Sequence, residues 1–187
     1  MLLGGRATDR AIVGMLAREQ AARDRGYLRV YGSWVTGPDG EPAKVLADDE
    51  AHFVVESSRI SLQVSVRALE GGVMATTFPS PRVMTRETCS AFVEFANALN
   101  VARIRTGLFA VDVKNLDIYY QAFIPSTFLR ADRETARELL LEVGVRYFET
   151  LSVPIWGLAK NGWAAAKAIR YMDEILDEGF VQDDDYD

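Results

Sequence analysis

The sequence predicts an α+β fold, an antiparallel β-sheet with helices packed on it, followed by a C-terminal helical extension. Three observations carry this. First, Ile104 to Val113 and Leu116 to Ile124 read as two arms around a Lys114-Asn115 turn. Phe109, Val111 and Val113 share one face of the first arm, and Leu116, Ile118 and Tyr120 share one face of the second. Successive side chains of a strand leave opposite faces, so this alternation suits a half-buried antiparallel pair. Second, Ile60, Leu62, Val64 and Val66 alternate with Ser61, Gln63, Ser65 and Arg67. Third, apolar residues recur at helical spacing in two later stretches, around Phe92 and around Leu140.

In chain order, a first helix is expected from Asp9 to Arg25, capped by Thr8 and closed by Gly26, with Ile12, Met15 and Leu16 as its apolar face. Tyr27 to Val35 alternates as a strand. Gly37-Pro38-Asp39-Gly40 has turn chemistry, and Pro42 to Leu46 returns as a short edge strand. Three strands follow: His52 to Glu56, Ile60 to Ala68 and Val73 to Phe78, the last two joined at Glu70-Gly71-Gly72. A helix is expected from Arg86 to Leu99, with Thr85 as its N-cap and Asn100 as a left-handed stop. After the hairpin, Pro125 ends the ladder because it has no N–H to donate. Asp132 caps a long helix with Ala136, Leu139, Leu140, Val143, Tyr147, Phe148 and Leu151 on one stripe. Pro154 forces a kink or restart near Ser152. Asn161-Gly162 is a stop, and a last helix runs from Trp163 to Asp177 with Ala165, Ile169, Met172 and Leu176 on one side.

Length and composition bound the function. A chain of 187 residues, 49% hydrophobic, suits one domain with extensions: an N-terminal helix and accessory strands over 1–50, a core over 51–160, and a C-terminal helix with an acidic tail over 161–187. The single cysteine, Cys89, excludes an internal disulfide and suits a cytoplasmic location. Met1 to Arg6 is too short an apolar run for a secretory signal, and no run reaches the length of a membrane span. The net charge is −6, but eight of the 27 acids lie between Asp173 and Asp187, where no base occurs. The remaining 19 acids face 21 bases, so the body is nearly neutral. That balance argues against nucleic-acid binding.

Phe95-Ala-Asn-Ala-Leu-Asn100, Gly107-Leu-Phe-Ala-Val-Asp112, the Lys114-Asn115 turn, Ile118-Tyr-Tyr, Ile124-Pro125 and the helix carrying Tyr147-Phe148 together resemble the YbjN family. The match spans roughly residues 50 to 160, and its motifs are structural. The resemblance implies a fold like that of type III secretion chaperones, a bacterial, non-catalytic regulatory or protein-binding role, and a homodimer. It implies no cofactor and no enzyme activity.

Candidate chemistry weighs toward structure. His52, the only histidine, lies near Asp48 and Asp49, but this set lacks the spacing of a metal site. Cys89 is on an apolar helix face with no histidine near it in sequence, so it reads as a small buried hydrophobe. Asp112 and Asp117 flank the hairpin turn and read as solvated charges. No phosphate loop, dinucleotide fingerprint or nucleophile elbow occurs. The candidate partner-binding residues are Trp34, Tyr119, Trp156, Trp163, Ile169 and Met172. Aromatic residues are enriched at interface hot spots, and the apolar side of the last helix has no partner visible in the sequence. That helix, with the segment from Pro154, is therefore the expected dimer contact. Three readings follow: a YbjN-type binding or regulatory module; a secretion-chaperone-like protein holding a client segment; and a small-molecule-binding protein or enzyme with a pocket near Trp156. An exposed sheet face carrying Trp or Tyr favours the first two. A deep polar pocket with a perturbed carboxylate favours the third.

Overall fold

The computed structural model describes residues 28–30, 50–56 and 59–179. The expected helix Asp9–Arg25, the turn at Gly37–Gly40, the strand Pro42–Leu46, Trp34, Asp48, Asp49 and the tail beyond Gly179 lie outside these residues. Among the described residues there are six strands: β1 (Leu28–Val30), β2 (Glu50–Glu56), β3 (Ser61–Leu69), β4 (Gly72–Pro79), β5 (Leu108–Asp112) and β6 (Asp117–Pro125). They form one antiparallel sheet in the order β1-β2-β3-β4-β6-β5. The helices are α1 (Cys89–Ala102), α2 (Ser126–Ala131), α3 (Arg133–Arg137), α4 (Val143–Thr150), α5 (Ser152–Lys160) and α6 (Ala165–Gly179). The fold is α+β, as the alternation predicts.

Strand periodicity divides the sheet into two unlike faces. Leu62, Val64, Val66, Val73, Ala75, Thr77, Phe109, Ile118, Tyr120, Ala122 and Ile124 are buried on one side. Phe92, Phe95 and Leu99 of α1, Leu140, Phe148 of α4, and Ile155 and Leu158 of α5 join them in one core. Phe109 sits at the centre of an aromatic cluster, 5.5 Å from Tyr120, 5.9 Å from Tyr147 and 5.3 Å from Phe148. These tilted and edge-on contacts suit the ring quadrupoles. The Tyr120 hydroxyl donates to the Thr106 carbonyl at 2.6 Å, which lets a large polar residue be buried.

The hairpin is shorter than the alternation suggests. β5 begins at Leu108, because Gly107 takes φ 72, outside the extended region. Asp112 pairs across to Asp117, leaving Val113 to Leu116 as a four-residue loop. Its cause is the Asp112 carboxylate. It accepts from the Lys114 and Asn115 N–H groups, both at 2.9 Å, and from Asn115 Nδ2 at 2.7 Å. A side chain that satisfies local amides in this way competes with the ladder. Val113 is consequently exposed, and Leu116 adopts φ 56.

Helix ends follow the sequence more closely. Asp132 accepts from Thr135 N–H at 3.1 Å, capping α3. The chain turns at Thr85 and Thr88, whose side chains accept from each other's backbone N–H groups, and the α-helix proper starts at Cys89. Leu151 separates α4 from α5, so Pro154 lies in the first turn of a new helix, where its missing N–H costs nothing. Gly162, at φ 64, ends α5. Between α3 and α4, Glu138–Glu142 forms a π-helical turn. Periodicity gave no sign of it. Arg137 pairs with Glu142 at 2.6 Å, and Arg146 reaches both Glu138 and Glu142 across its outer side.

Just after the π-turn, Gly144 lies over the sheet so closely that a Cβ there would stand 2.6 Å from Thr77 Oγ1 and 2.7 Å from Tyr120 Cδ1. Thr77 is 1% exposed and its hydroxyl has no hydrogen-bond partner. A buried unsatisfied polar group costs about 1–3 kcal/mol. Thr77→Val, which keeps the branched shape and removes the hydroxyl, is expected to stabilise the protein by about 1 kcal/mol on the same grounds. A urea unfolding curve checks this, and a lower midpoint would show that the hydroxyl has a partner.

Asn100 and α6 depart from expectation. Asn100 is inside α1 and does not end it; its role is described below. The last helix has a partner after all. Ala165, Ala168, Met172 and Leu176 are buried, and the last three join the same core as the strands. α6 packs on α1 and α5, and Arg103 of the α1 end meets Asp173 at 3.3 Å. Its apolar side is therefore covered by its own chain, and that side is not the dimer contact the sequence suggested.

Candidate functional site

The face of the sheet opposite the helices is the candidate site. On β3 it carries Ser61, Gln63, Ser65 and Arg67; on β4, Met74, Thr76 and Phe78; on β6, Tyr119, Gln121 and Phe123; on β5, Leu108 and Ala110. None of these twelve residues is buried, and no described helix lies over them. Phe123 is 48% and Leu108 44% exposed, while Met74, Phe78 and Tyr119 are half-buried. Register aligns them in rows across the strands. Arg67, Met74 and Phe123 make one row. Ser65, Thr76, Gln121 and Leu108 make the next. Phe123 lies against Gly72, where a Cβ would stand 2.5 Å from the ring; the bare glycine lets the phenyl group settle over the strand. A shallow depression of ≈ 220 Å³ is lined by Ser65, Arg67, Met74, Thr76 and Phe78.

The β5 edge of this sheet is closed by a side chain. Asn100 Nδ2 donates to the Phe109 carbonyl at 2.7 Å, and Asn100 Oδ1 accepts from the Phe109 N–H at 2.7 Å. The carboxamide thus takes the place that a neighbouring strand's peptide would occupy. Open strand edges invite pairing with other chains, and covering them is how folded proteins avoid it.

The sequence-derived candidates scatter. Tyr119 lies on the open face. Met172 is 0% exposed, and Ile169 is half-buried and packed on the core, so neither presents itself to a partner. Trp163 closes the α5–α6 connection: its ring lies against Gly157, 5.7 Å from Tyr171, with Lys167 Nζ 4.1 Å above it. Trp156 donates its indole N–H to the Arg59 carbonyl at 3.1 Å. It borders a second cavity of ≈ 230 Å³ with Arg59, Ser61, Ser80, Pro81 and Val83. Among the described residues no carboxylate lines that cavity. Asp117 is the carboxyl that burial pushes above its usual range, opposed by Arg82 at 3.1 Å, and it stands outside the cavity. Asp112, on the same turn, is held below the usual range by its bonds to Asn115. Cys89 is a half-buried free thiol packed on the core. Among the described residues no group of three His, Cys, Asp or Glu side chains is placed to hold a metal ion.

The open-face residues Met74, Phe78 and Phe123 are not among the sequence-derived candidates. Their signal was present: in β4 and β6 the outward-pointing positions are themselves partly apolar, which a strand facing only water does not require. No family model, no curated protein and no solved structure matches this chain. Among the described residues no helix is long and apolar enough to cross a membrane.

Proposed function

We propose that this chain is a non-catalytic, protein-binding regulatory module that acts through the open face of its sheet. The observation that carries the reading is the cluster of Met74, Phe78, Tyr119 and Phe123, held at or near the surface on neighbouring strands of one sheet. Aromatic residues and methionine are enriched where proteins meet, and charged residues are depleted at the centre of such contacts. The YbjN-like residues support the same role, in a reducing cytoplasm where Cys89 remains a thiol. A secretion-chaperone-like client holder is the second reading, and an aromatic sheet face suits it too. The Asn100 plug on β5 argues against a client that adds a strand at that edge. For the small-molecule reading, none of the described residues that line the cavity beside Trp156 is a carboxylate.

A photo-crosslinking amino acid at Tyr119, in the cells the chain comes from, tests the proposal. Protein adducts are expected from that position and not from Lys160, which is exposed on α5. Equal adducts from both positions, or none from Tyr119, would overturn it.

A further inference from the structure

We propose that the cavity beside Trp156 is a binding site for a small organic carboxylate, separate from the open face of the sheet and independent of what binds there. The size, the walls and the charge of the cavity point to that ligand.

The cavity measures ≈ 230 Å³. An apolar cavity of about 150 Å³ takes benzene. The space beside Trp156 therefore suits a ring of that size with one substituent. Pockets for larger ligands run from about 300 Å³ upward.

The walls have an apolar part and a polar part. Ile60 and Val83 are buried, and the half-buried Trp156 stands beside them. The Trp156 N–H is spent on the Arg59 carbonyl at 3.1 Å, so what the ring has left for a ligand is apolar. That bond also holds the ring in place before anything binds, which lowers the ordering cost of binding. A bare inorganic ion gains nothing from apolar walls, whereas an organic body does. On the polar part, Ser80 N–H donates to the Ser61 carbonyl at 2.9 Å, which sets the two serines side by side. Among the described residues neither serine hydroxyl has a hydrogen-bond partner. Each can donate to a carboxylate oxygen.

Charge selects the ligand's sign. Arg59 is the charged residue among the described residues that line the cavity. It already has an interaction partner. A guanidinium carries five N–H donors, so one partner leaves others for a carboxylate, the planar group it matches best. Arg82, next in the chain after Pro81, is matched by Asp117 at 3.1 Å. Lys160 is exposed one helical turn beyond Trp156, on the same side of α5. Arg59 and Lys160 thus set a positive potential with no carboxylate among the described lining residues to oppose it, and an anion is drawn in.

Sodium benzoate, titrated at constant ionic strength into the isotope-labelled full chain and followed by nuclear magnetic resonance, is the test. Trp156→Phe identifies the Trp156 indole signal by its loss. In the parent, the Trp156 indole and Ser80 amide signals are expected to move together and to saturate, half-way at about 1 mM. Benzamide, which keeps the shape and lacks the charge, is expected to bind about tenfold more weakly, and sodium sulfate to give no saturating shift. Arg59→Gln is expected to weaken benzoate about tenfold, and Phe123→Ala, on the open face, to leave it unchanged. Circular dichroism checks that each variant is folded; should Arg59→Gln fail to fold, Ser80→Ala carries the test, with a loss of about threefold or more. No saturating shift below about 50 mM benzoate would overturn the proposal. So would benzamide binding as tightly as benzoate, sulfate binding more tightly, or a folded Arg59→Gln or Ser80→Ala that binds benzoate like the parent.

Discussion

Val64→Asp is expected to leave most of the chain unfolded at room temperature. Val64 is 2% exposed on β3, the third strand of six, paired with Phe53 on one side and Thr77 on the other. Leu62 and Val66 flank it on the same face, both buried. A carboxylate there either stays ionised in an apolar site or takes up a proton, and it still lacks a partner. Changes of this class cost several kcal/mol, against a total stability of about 5–15 kcal/mol for a typical domain. The thermal melt followed by circular dichroism should show an early or absent transition. Val101→Asp is the control, since Val101 is 89% exposed on α1, and it should melt near the parent. The contrary result, Val64→Asp melting like the parent, would mean the register is one residue out, because a single-residue slip moves Val64 to the other face.

Asn100→Leu is expected to cost about 2–3 kcal/mol, the sum of two hydrogen bonds lost and two backbone groups of Phe109 left without protein partners. Phe109 is 2% exposed and central to the aromatic cluster, so loosening its backbone disturbs Tyr120, Tyr147 and Phe148 together. Asn100→Asp separates the two bonds. It keeps an acceptor for the Phe109 N–H but sets a carboxylate oxygen against the Phe109 carbonyl. It should also destabilise, and more at neutral pH than in acid, where a protonated carboxyl can donate. Urea midpoints measure both variants. A Leu variant within about 0.5 kcal/mol of the parent would show that water replaces the amide at little cost.

What the sequence reveals is what neighbours in the chain can decide. The alternation of Leu62, Val64 and Val66, the Asp132 cap, the break before Pro154 and the stop at Gly162 each depend on a few adjacent residues, and the structure has them. What stayed hidden depends on residues far apart or on a count. Asn100 looked like a helix stop because its partner, Phe109, lies across a loop. The apolar side of α6 looked orphaned because α1, which it meets, is about sixty residues earlier in the chain. Trp163 and Trp156 looked like partner-seeking aromatics, yet a glycine and a backbone carbonyl already occupy them. The open face was legible only in part: Tyr119 was placed on the outward side of its strand, but Met74, Phe78 and Phe123 join it only once the strand order brings β4 beside β6.

The π-helical turn at Glu138–Glu142 makes the length of this helical region matter more than its spelling. Each α-helical residue advances the chain by about 100°, so one residue more or less rotates everything after it by that angle. Here the residue count across the turn is what brings Gly144 over Thr77 and Tyr120, and Phe148 into the aromatic cluster. Substitutions on its outer side, among Glu138, Glu142 and Arg146, leave that phase untouched. A single deletion brings Val145, and a single insertion Val143 or the inserted residue, to a gap that only a glycine fills. In descendants of this sequence, exchanges should accumulate on the outside of the turn while insertions and deletions are purged from it. Any gap that an alignment does open there marks a relative whose long helix meets the sheet through a different set of residues.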